Sequence, residues 1–560
     1  MFETRATNAP QSPLRFLLAL PPSLGLLVLL ALAFVLPGLL NHDPWKSFDA
    51  IGIEVVHQML VSGDWLVPRV AGMPWLEDPP FFHWVALFFA SIASFAIPFH
   101  DAVRIASGLM VLASCAFLYL AARTRVQEDD VQDDFRDDTR DVSRAEAATA
   151  VVLLLGTIGL MVHAHEAIPD LSTLAACSAA LAALVRATDR PILMGIGFGA
   201  ALGIAFLSTG FVTPVALLLA ALLAAVVCKE WRTPRTAMFL ATGTLVALVI
   251  SASWPLALRS HSPAIFSDWL GSALAQRGAF TANLSYFLGI LPWFLWPLWP
   301  LALWALWARR RSLLSLRMFG PLAAFTLLFA GVALSGPRQD INLLATVPPL
   351  VLFCARSLPA LRRGAAAAFD WFGVMTFGFF AFLIWGGYIA MMTGWPPRVA
   401  RNFTKLAPGF EPHFALLPFL AALAITALWV LLVLRLPAAS SRSATRWAAG
   451  VILFWGTFAT LWMPWADHLR SYRSVAVQLK ASIPATACVA GRNVGTPQRA
   501  ALSYHAGLRV GGSEARCAYL VVQGSPRHER DAPGAGWTKV AEIGRPGDKG
   551  ERFRLYRKTQ

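Results

Sequence analysis

Three stretches of this sequence carry carboxylates in settings where they could do chemistry. Asp49 follows closely on the first long apolar run. Glu77-Asp78 stands directly before Pro79-Pro80. His163-Ala-His165-Glu166-Ala-Ile168-Pro169-Asp170 puts two more acids at the junction of two apolar runs. Such groups can orient or deprotonate a nucleophile, or ligate a hard divalent cation through oxygen. Asp170 also stands where a helix would begin, and Asp caps helix N-termini well, so its local sequence fits a cap and a catalytic role equally. His163 and His165 are two apart and would face different sides of a helix, which disfavours a shared metal.

The elements that must hold these residues are set by composition. Hydrophobic residues make up 57% of the 560 and charged residues only 14%. Soluble domains average about 45–50% and about 25%. An ordinary soluble enzyme and a disordered chain are both excluded. The apolar residues fall in about thirteen runs long enough to span a bilayer: 16–38, 103–122, 147–163, 171–187, 192–208, 211–228, 237–256, 286–307, 318–335, 341–358, 369–393, 414–434 and 447–464. The expected fold is an all-α polytopic membrane protein.

Charge orders these runs. The net charge is +15, and in a membrane protein excess Lys and Arg first mark cytoplasmic loops, not nucleic-acid binding. With the N-terminus inside and thirteen crossings, the clusters Arg123/Arg125, Lys229/Arg232/Arg235, Arg309/Arg310/Arg311 and Arg435/Arg442/Arg446 all fall inside. Counting 81–97 as a crossing would invert every later cluster, so this stretch reads as an interfacial or re-entrant helix. The acidic stretch 127–141 lacks calcium-loop spacing and reads as a solvated insertion. The carboxylates above then lie on the outer side, and the runs hold almost no charge at mid-depth, which argues against an ion-driven transporter.

Two domains follow, residues 1–464 in the membrane and 465–560 outside it. The second part becomes polar, with short alternating runs at 487–490, 518–522, 537–542 and 553–556, and reads as a small α/β domain in the periplasm. Residues 470–560 hold sixteen Lys and Arg against six Asp and Glu, an excess that points to anionic partners such as lipid headgroups. Cys488 and Cys517 both lie there. A disulfide between them is expected, with two buried strand thiols as the alternative.

The ordered motifs of residues 40–360 resemble the class C membrane glycosyltransferases of the protein-mannosyltransferase and lipid A aminoarabinose-transferase type. The matches are Gly63-Asp64-Trp65-Leu66-Val67-Pro68, Gly72, Glu77, Pro79-Pro80, Trp84, Arg104, Ile168-Pro169-Asp170-Leu171, the Pro292 to Trp304 segment, and Ser335 to Pro349. There are departures. The family's Asp-Glu pair after the first span is Phe48-Asp49. Its Glu-Lys-Pro-Pro is Glu77-Asp78-Pro79-Pro80, so Asp78 replaces a lysine that contacts donor phosphate. A family Tyr is Asn342, and the turn often written Lys-Gly is Thr209-Gly210.

The resemblance implies inverting transfer of a sugar from a polyprenyl-phosphate donor to an anionic, lipid-linked or lipid A-type acceptor at the periplasmic face of the inner membrane. It implies Asp49 and Asp170 as catalytic carboxylates and Arg277, Arg338 and Arg259 as ligands for the donor phosphate. Glu77 and Asp78 are substrate or metal candidates, and a divalent ion would be held by Asp49, Asp170 and Glu77. The departures leave one competing reading, a catalytically divergent or inactive glycolipid-binding protein; a lipid or glycan transporter is a second alternative, against which the scarcity of mid-depth charge counts.

Overall fold

The computed structural model describes residues 23–123, 136–275, 280–335, 337–358, 361–436, 441–525 and 532–559, with the side chains of 136–142 excepted. Arg277 and most of the acidic stretch 127–141 lie outside the described residues.

Helices dominate because the apolar runs can satisfy their backbone polar groups in lipid only within a helix. Six are long and apolar enough to cross a bilayer: Phe99–Ala122, Pro191–Thr209, Pro234–His261, Leu316–Ser335, Arg363–Thr393 and Leu416–Arg435. Only 11% of the most apolar window of Leu416–Arg435 is buried against protein, so its remaining flank must face lipid. Shorter apolar helices include Leu24–Val35, Pro169–Val185 and Val212–Val227. Each of the thirteen expected runs is occupied by a helix or a helix pair.

Several runs are broken where continuous spans were expected. Residues 286–307 form Phe280–Phe294 and Leu298–Ala308, bent by 94° around Pro297, which cannot donate a helical hydrogen bond. Residues 147–163 divide into Arg136–Leu155 and Ile158–His163. At that break the Trp447 indole N–H donates to the Gly156 carbonyl at 2.8 Å, and the Ile158 N–H donates to the Trp296 carbonyl at 3.1 Å. Tertiary partners replace the helical ones. Elsewhere small residues let helices meet: a Cβ at Gly199 would sit 2.3 Å from the Gly243 carbonyl oxygen on Pro234–His261.

The first long loop folds onto the helical body. Its helix Ser47–Ser62 ends at Gly63 in the left-handed conformation. A two-residue hairpin follows, β1 (Arg69–Val70) and β2 (Met73–Pro74), turning through Ala71 and Gly72 at positive φ. The helix Phe81–Ala93 has 13 residues, roughly 20 Å of rise, too short to cross.

The C-terminal part holds a five-stranded sheet in the order β4-β3-β5-β7-β6. Its strands are β3 (Val489–Arg492), β4 (Val510–Gly512), β5 (Tyr519–Gly524), β6 (Trp537–Ile543) and β7 (Arg552–Lys558). β3 runs parallel to β4 and β5, while β7 is antiparallel to β5 and β6. Leu479 and Leu502, from helices Arg473–Ala481 and Thr496–Ala506, pack with Val521, Phe553 and Leu555 of the sheet. Cys488 and Cys517 form a disulfide, with Cα atoms 4.8 Å apart. Helix Thr496–Ala506 rests on the first loop: Ala500 joins the core of Ser47–Ser62, and the Tyr504 hydroxyl is 2.9 Å from His100 Nδ1.

Candidate active site

A cavity of about 130 Å³ lies where the first loop meets the ends of helices Pro169–Val185, Pro191–Thr209 and Leu316–Ser335. Three carboxylates line it. Glu77 and Asp78 come from the segment between the hairpin and Phe81–Ala93. Asp170 comes from the first turn of Pro169–Val185, where Pro169 fits because its missing N–H would go unpaired there anyway. Thr173, Thr209 and Asn342 form part of the facing wall, with the Thr173 and Thr209 hydroxyls 2.9 Å apart.

The charge in this cavity is unbalanced. Burial pushes the Asp78 carboxyl well above the usual range, and the negative charges of Asp170 and Glu77 push it the same way. Burial alone raises Glu77. His83 also lines the cavity, and burial pushes it down to about 3, so it faces the carboxylates as a neutral imidazole. Among the described residues, no Lys or Arg lines the cavity. A site of this kind can hold a proton, orient hydroxyls or receive a cationic group.

Asp49 is placed differently from the expectation. Its neighbour Phe48 lines the cavity, but Asp49 does not. Asp49 is fully buried with its oxygens taken. Oδ1 accepts from Arg104 Nε at 3.1 Å and from the Ala167 N–H at 2.8 Å, and Oδ2 accepts from Arg104 Nη2 at 2.6 Å. Arg104 also donates to Asp101 at 3.2 Å and to the His42 carbonyl at 2.8 Å. Burial would raise the Asp49 carboxyl, but the Arg104 charge and these hydrogen bonds outweigh it and hold the group below its usual range. The same packing fixes the next segment: a Cβ at Gly52 would sit 1.8 Å from the Ala167 carbonyl oxygen. Asp49 therefore holds the chain three residues before Asp170 and does not line the cavity.

Of the expected metal set, Glu77 and Asp170 line the cavity and Asp49 does not. Asp49 is not brought together with Asp170 and Glu77, and its lone pairs are committed to Arg104 and Ala167. Among the described residues, no group of three His, Cys, Asp or Glu is spaced to hold a metal ion.

The arginines divide. Arg338 is exposed on the turn whose neighbours Pro337 and Gln339 line the cavity, and its Nε donates to Asn283 Oδ1 at 3.2 Å. Arg259 is exposed near the end of Pro234–His261, over the Phe266 ring at 6.0 Å, and does not line the cavity. Arg277 lies outside the described residues.

One network was not anticipated. Lys46 pairs with Glu166 at 2.8 Å, and His163 lies 3.0 Å from Glu166 and 3.4 Å from Asp340, beside the cavity residue Ile341. The His163/Glu166 spacing of three was the available signal, since residues three apart share a helical face. His165 turns away, stacked on Trp455 with ring centroids 4.6 Å apart.

The chain is similar over most of its length to a solved structure, ArnT from Cupriavidus metallidurans. The TM-score is 0.64 at 18% identity, covering 95% of this chain and 97% of that one, for the apo and the undecaprenyl phosphate-bound forms alike. The fold is that of ArnT. The resemblance read from the sequence is thus borne out in the fold. Curated relatives agree: the undecaprenyl phosphate-alpha-4-amino-4-deoxy-L-arabinose arabinosyl transferase 1 of Pseudomonas fluorescens is 28% identical over 353 residues, 60% of this chain and 59% of the relative. Transferase 2 of Proteus mirabilis is 25% identical over 345 residues, 59% of this chain and 58% of the relative. The chain thus spans less than two thirds of the length of either relative. No family model matches it.

Proposed function

We propose that this protein is a membrane glycosyltransferase that moves a sugar from a polyprenyl-phosphate donor to an anionic lipid acceptor of the lipid A type. The observation that carries this reading is the cavity of Glu77, Asp78 and Asp170, set at the helix ends of an ArnT fold. The relatives' names specify 4-amino-4-deoxy-arabinose on undecaprenyl phosphate, and an amino sugar is the cation that three carboxylates would hold. The reading places thirteen crossings in residues 1–464, residues 465–560 in the periplasm, and the reaction at the outer face of the inner membrane.

In this mechanism an acceptor oxygen attacks the anomeric carbon from the face opposite the lipid phosphate. The bond from that carbon to the phosphate oxygen breaks, and its electron pair leaves with the lipid phosphate, inverting the centre. Asp170 takes the acceptor proton or orients the attacking oxygen. Asp78, with its raised carboxyl, shares a proton or bonds the sugar. Arg338 meets the leaving phosphate at the cavity rim through the guanidinium fork, and Arg277 is proposed as a second phosphate ligand. Asp49 serves as a positioning residue through Ala167, and Arg259, exposed near the end of Pro234–His261, is a weaker phosphate ligand than Arg338. No step is routed through a metal.

A second reading, a glycolipid-binding protein without turnover, is favoured by Asp78 standing where the family pattern that the sequence resembles has lysine. Purified protein supplied with polyprenyl-phosphate aminoarabinose and a lipid A acceptor separates the two. Release of the lipid phosphate that depends on Asp170 supports the transferase; tight donor binding without release supports the second reading.

A further inference from the structure

Helix Pro397–Leu406 lies between two helices long and apolar enough to cross a bilayer, Arg363–Thr393 and Leu416–Arg435. Three residues separate it from the first of these, so it must lie at the membrane face. Trp395, in that short link, is 69% exposed, as a residue of the interfacial belt would be. None of the ten helix residues is buried. The helix is held along one side by Phe403, whose ring centroid lies 5.1 Å from that of Trp462 and 5.4 Å from that of Trp465. Gly387 of Arg363–Thr393 leaves room for this contact: a Cβ there would sit 2.3 Å from the Trp462 ring.

The opposite side carries charge. Arg398, Arg401 and Lys405 follow one another at spacings of three and four, which makes a single exposed stripe facing away from Phe403. Arg401 Nε donates to the Pro397 carbonyl of its own helix at 3.3 Å, and among the described residues none of the three cations pairs with an acid. The one acid of residues 394–415, Glu411, lies beyond the helix. Val399 and Leu406 are seven apart, share a side next to the stripe and are also exposed. Cations along one side of a helix and apolar residues along another suit the plane of lipid headgroups. The same segment touches the C-terminal part. His468 Nε2 lies 3.1 Å from the Pro408 carbonyl oxygen. Gly547, at φ +68°, comes so close that a Cβ would sit 2.2 Å from the Leu406 carbonyl oxygen.

We propose that helix Pro397–Leu406 docks on the phosphate headgroups of anionic phospholipids and, through His468 and Gly547, ties the C-terminal part to the bilayer surface. The guanidinium forks of Arg398 and Arg401 take phosphate oxygens, and Lys405 adds a third cation at the end of the stripe. Trp395, Val399 and Leu406 enter the boundary between headgroups and acyl chains. A zwitterionic headgroup fits less well, because it brings its own ammonium to the stripe. A soluble protein partner would have to sit where the two neighbouring spans put the bilayer. The proposal is independent of the transferase reading.

The test is hydrogen exchange of the full chain in nanodiscs of three compositions: phosphatidylcholine alone, with phosphatidylglycerol added, and with lipid A added. Phosphatidylglycerol is expected to slow the amides of residues 397–406 at least about tenfold, since each cation near an anionic surface is worth roughly fivefold. Residues 545–550 should slow with them by a smaller factor. The variant Arg398→Gln/Arg401→Gln/Lys405→Gln should remove the difference. Raising salt from about 0.05 M to about 0.5 M should shrink it in the parent protein, which keeps the test open should the variant fold poorly. Arg516→Gln, exposed on the C-terminal part, should leave it in place. Equal exchange with and without phosphatidylglycerol overturns the proposal, as does slowing that survives both the triple variant and high salt. Loss of the difference in Arg516→Gln as well would assign it to diffuse charge and overturn the site. Slowing by lipid A but not by phosphatidylglycerol would make the stripe a contact for another lipid and overturn the assignment. Slowing of 397–406 with no change at 545–550 strikes out the tie to the C-terminal part.

Discussion

Two groups of acids lie side by side in this molecule, one buried and one lining a cavity, and they behave oppositely. Around Arg104, Asp49 and Asp101 are paired with a cation and Asp49 is sealed from the cavity. Around the cavity, Glu77, Asp78 and Asp170 have no lining cation among the described residues, and burial and mutual repulsion raise Asp78. Arg104 and its partners, with one cation shared between two acids, hold the fold. The cavity acids are left unbalanced, and that imbalance is what a ligand, a proton or a sugar ammonium can relieve. Counting acids along the chain cannot separate the two sites; the cation beside each one does.

The comparison breaks most severely at Arg104. Arg104→Leu leaves Asp49 and Asp101 buried and unpaired, and should cost about 3–5 kcal/mol of stability. Thermal unfolding in detergent measures this. The double variant Asp49→Leu/Arg104→Leu should recover part of the loss, because an apolar replacement for a buried pair is often close to neutral. No recovery would show that Asp49 does more than balance Arg104.

Gly52→Ala tests how the Arg104 side positions the cavity side. A Cβ 1.8 Å from the Ala167 carbonyl oxygen must displace that backbone, at roughly 1–3 kcal/mol for overpacking. Turnover should fall more than stability, because the displaced segment carries Asp170. A loss of stability alone would uncouple the two sites.

Much of this was legible beforehand, and the gaps have physical causes. The apolar runs foretold the helices because lipid leaves the backbone no other partner. Residues 81–97 were kept from crossing by loop charge, and Phe81–Ala93 is too short to cross. Strand β4, Val510–Gly512, went unseen because two of its three residues are glycines without a pattern to read. Glu77 and Asp170 were flagged from their motifs. The sequence shows Asp49 only by its place after the first span and in the family's acidic pair; that Arg104, 55 residues later, takes both its oxygens is a tertiary fact. The break at Gly156 is of the same kind, made by Trp447 from a distant helix.

A smaller effect concerns Asp78 and pH. Its folded-state carboxyl is raised above the unfolded value of about 4. Below that value both states are protonated and the group is neutral in the balance. As pH rises above it, the unfolded chain ionises first, so Asp78 removes stability until its own folded value is passed. Asp78→Asn should therefore match the parent protein near pH 4 and unfold at a higher temperature at pH 7. Unfolding temperatures across that range check it, and a variant that is less stable at pH 7 would mean Asp78 is held as a paired anion.

The central claim is that the unbalanced cavity acids do the chemistry, and Asp170→Asn tests it most directly. The measurement is the initial rate of lipid-phosphate release from a polyprenyl-phosphate sugar donor, with the unfolding temperature recorded on the same preparation. The account predicts a fall of about 10²–10⁴-fold, the usual worth of a general acid or base, with little change in unfolding temperature. A rate within about threefold of the parent, in a protein equally stable, would contradict it and return Asp170 to the role of a helix cap.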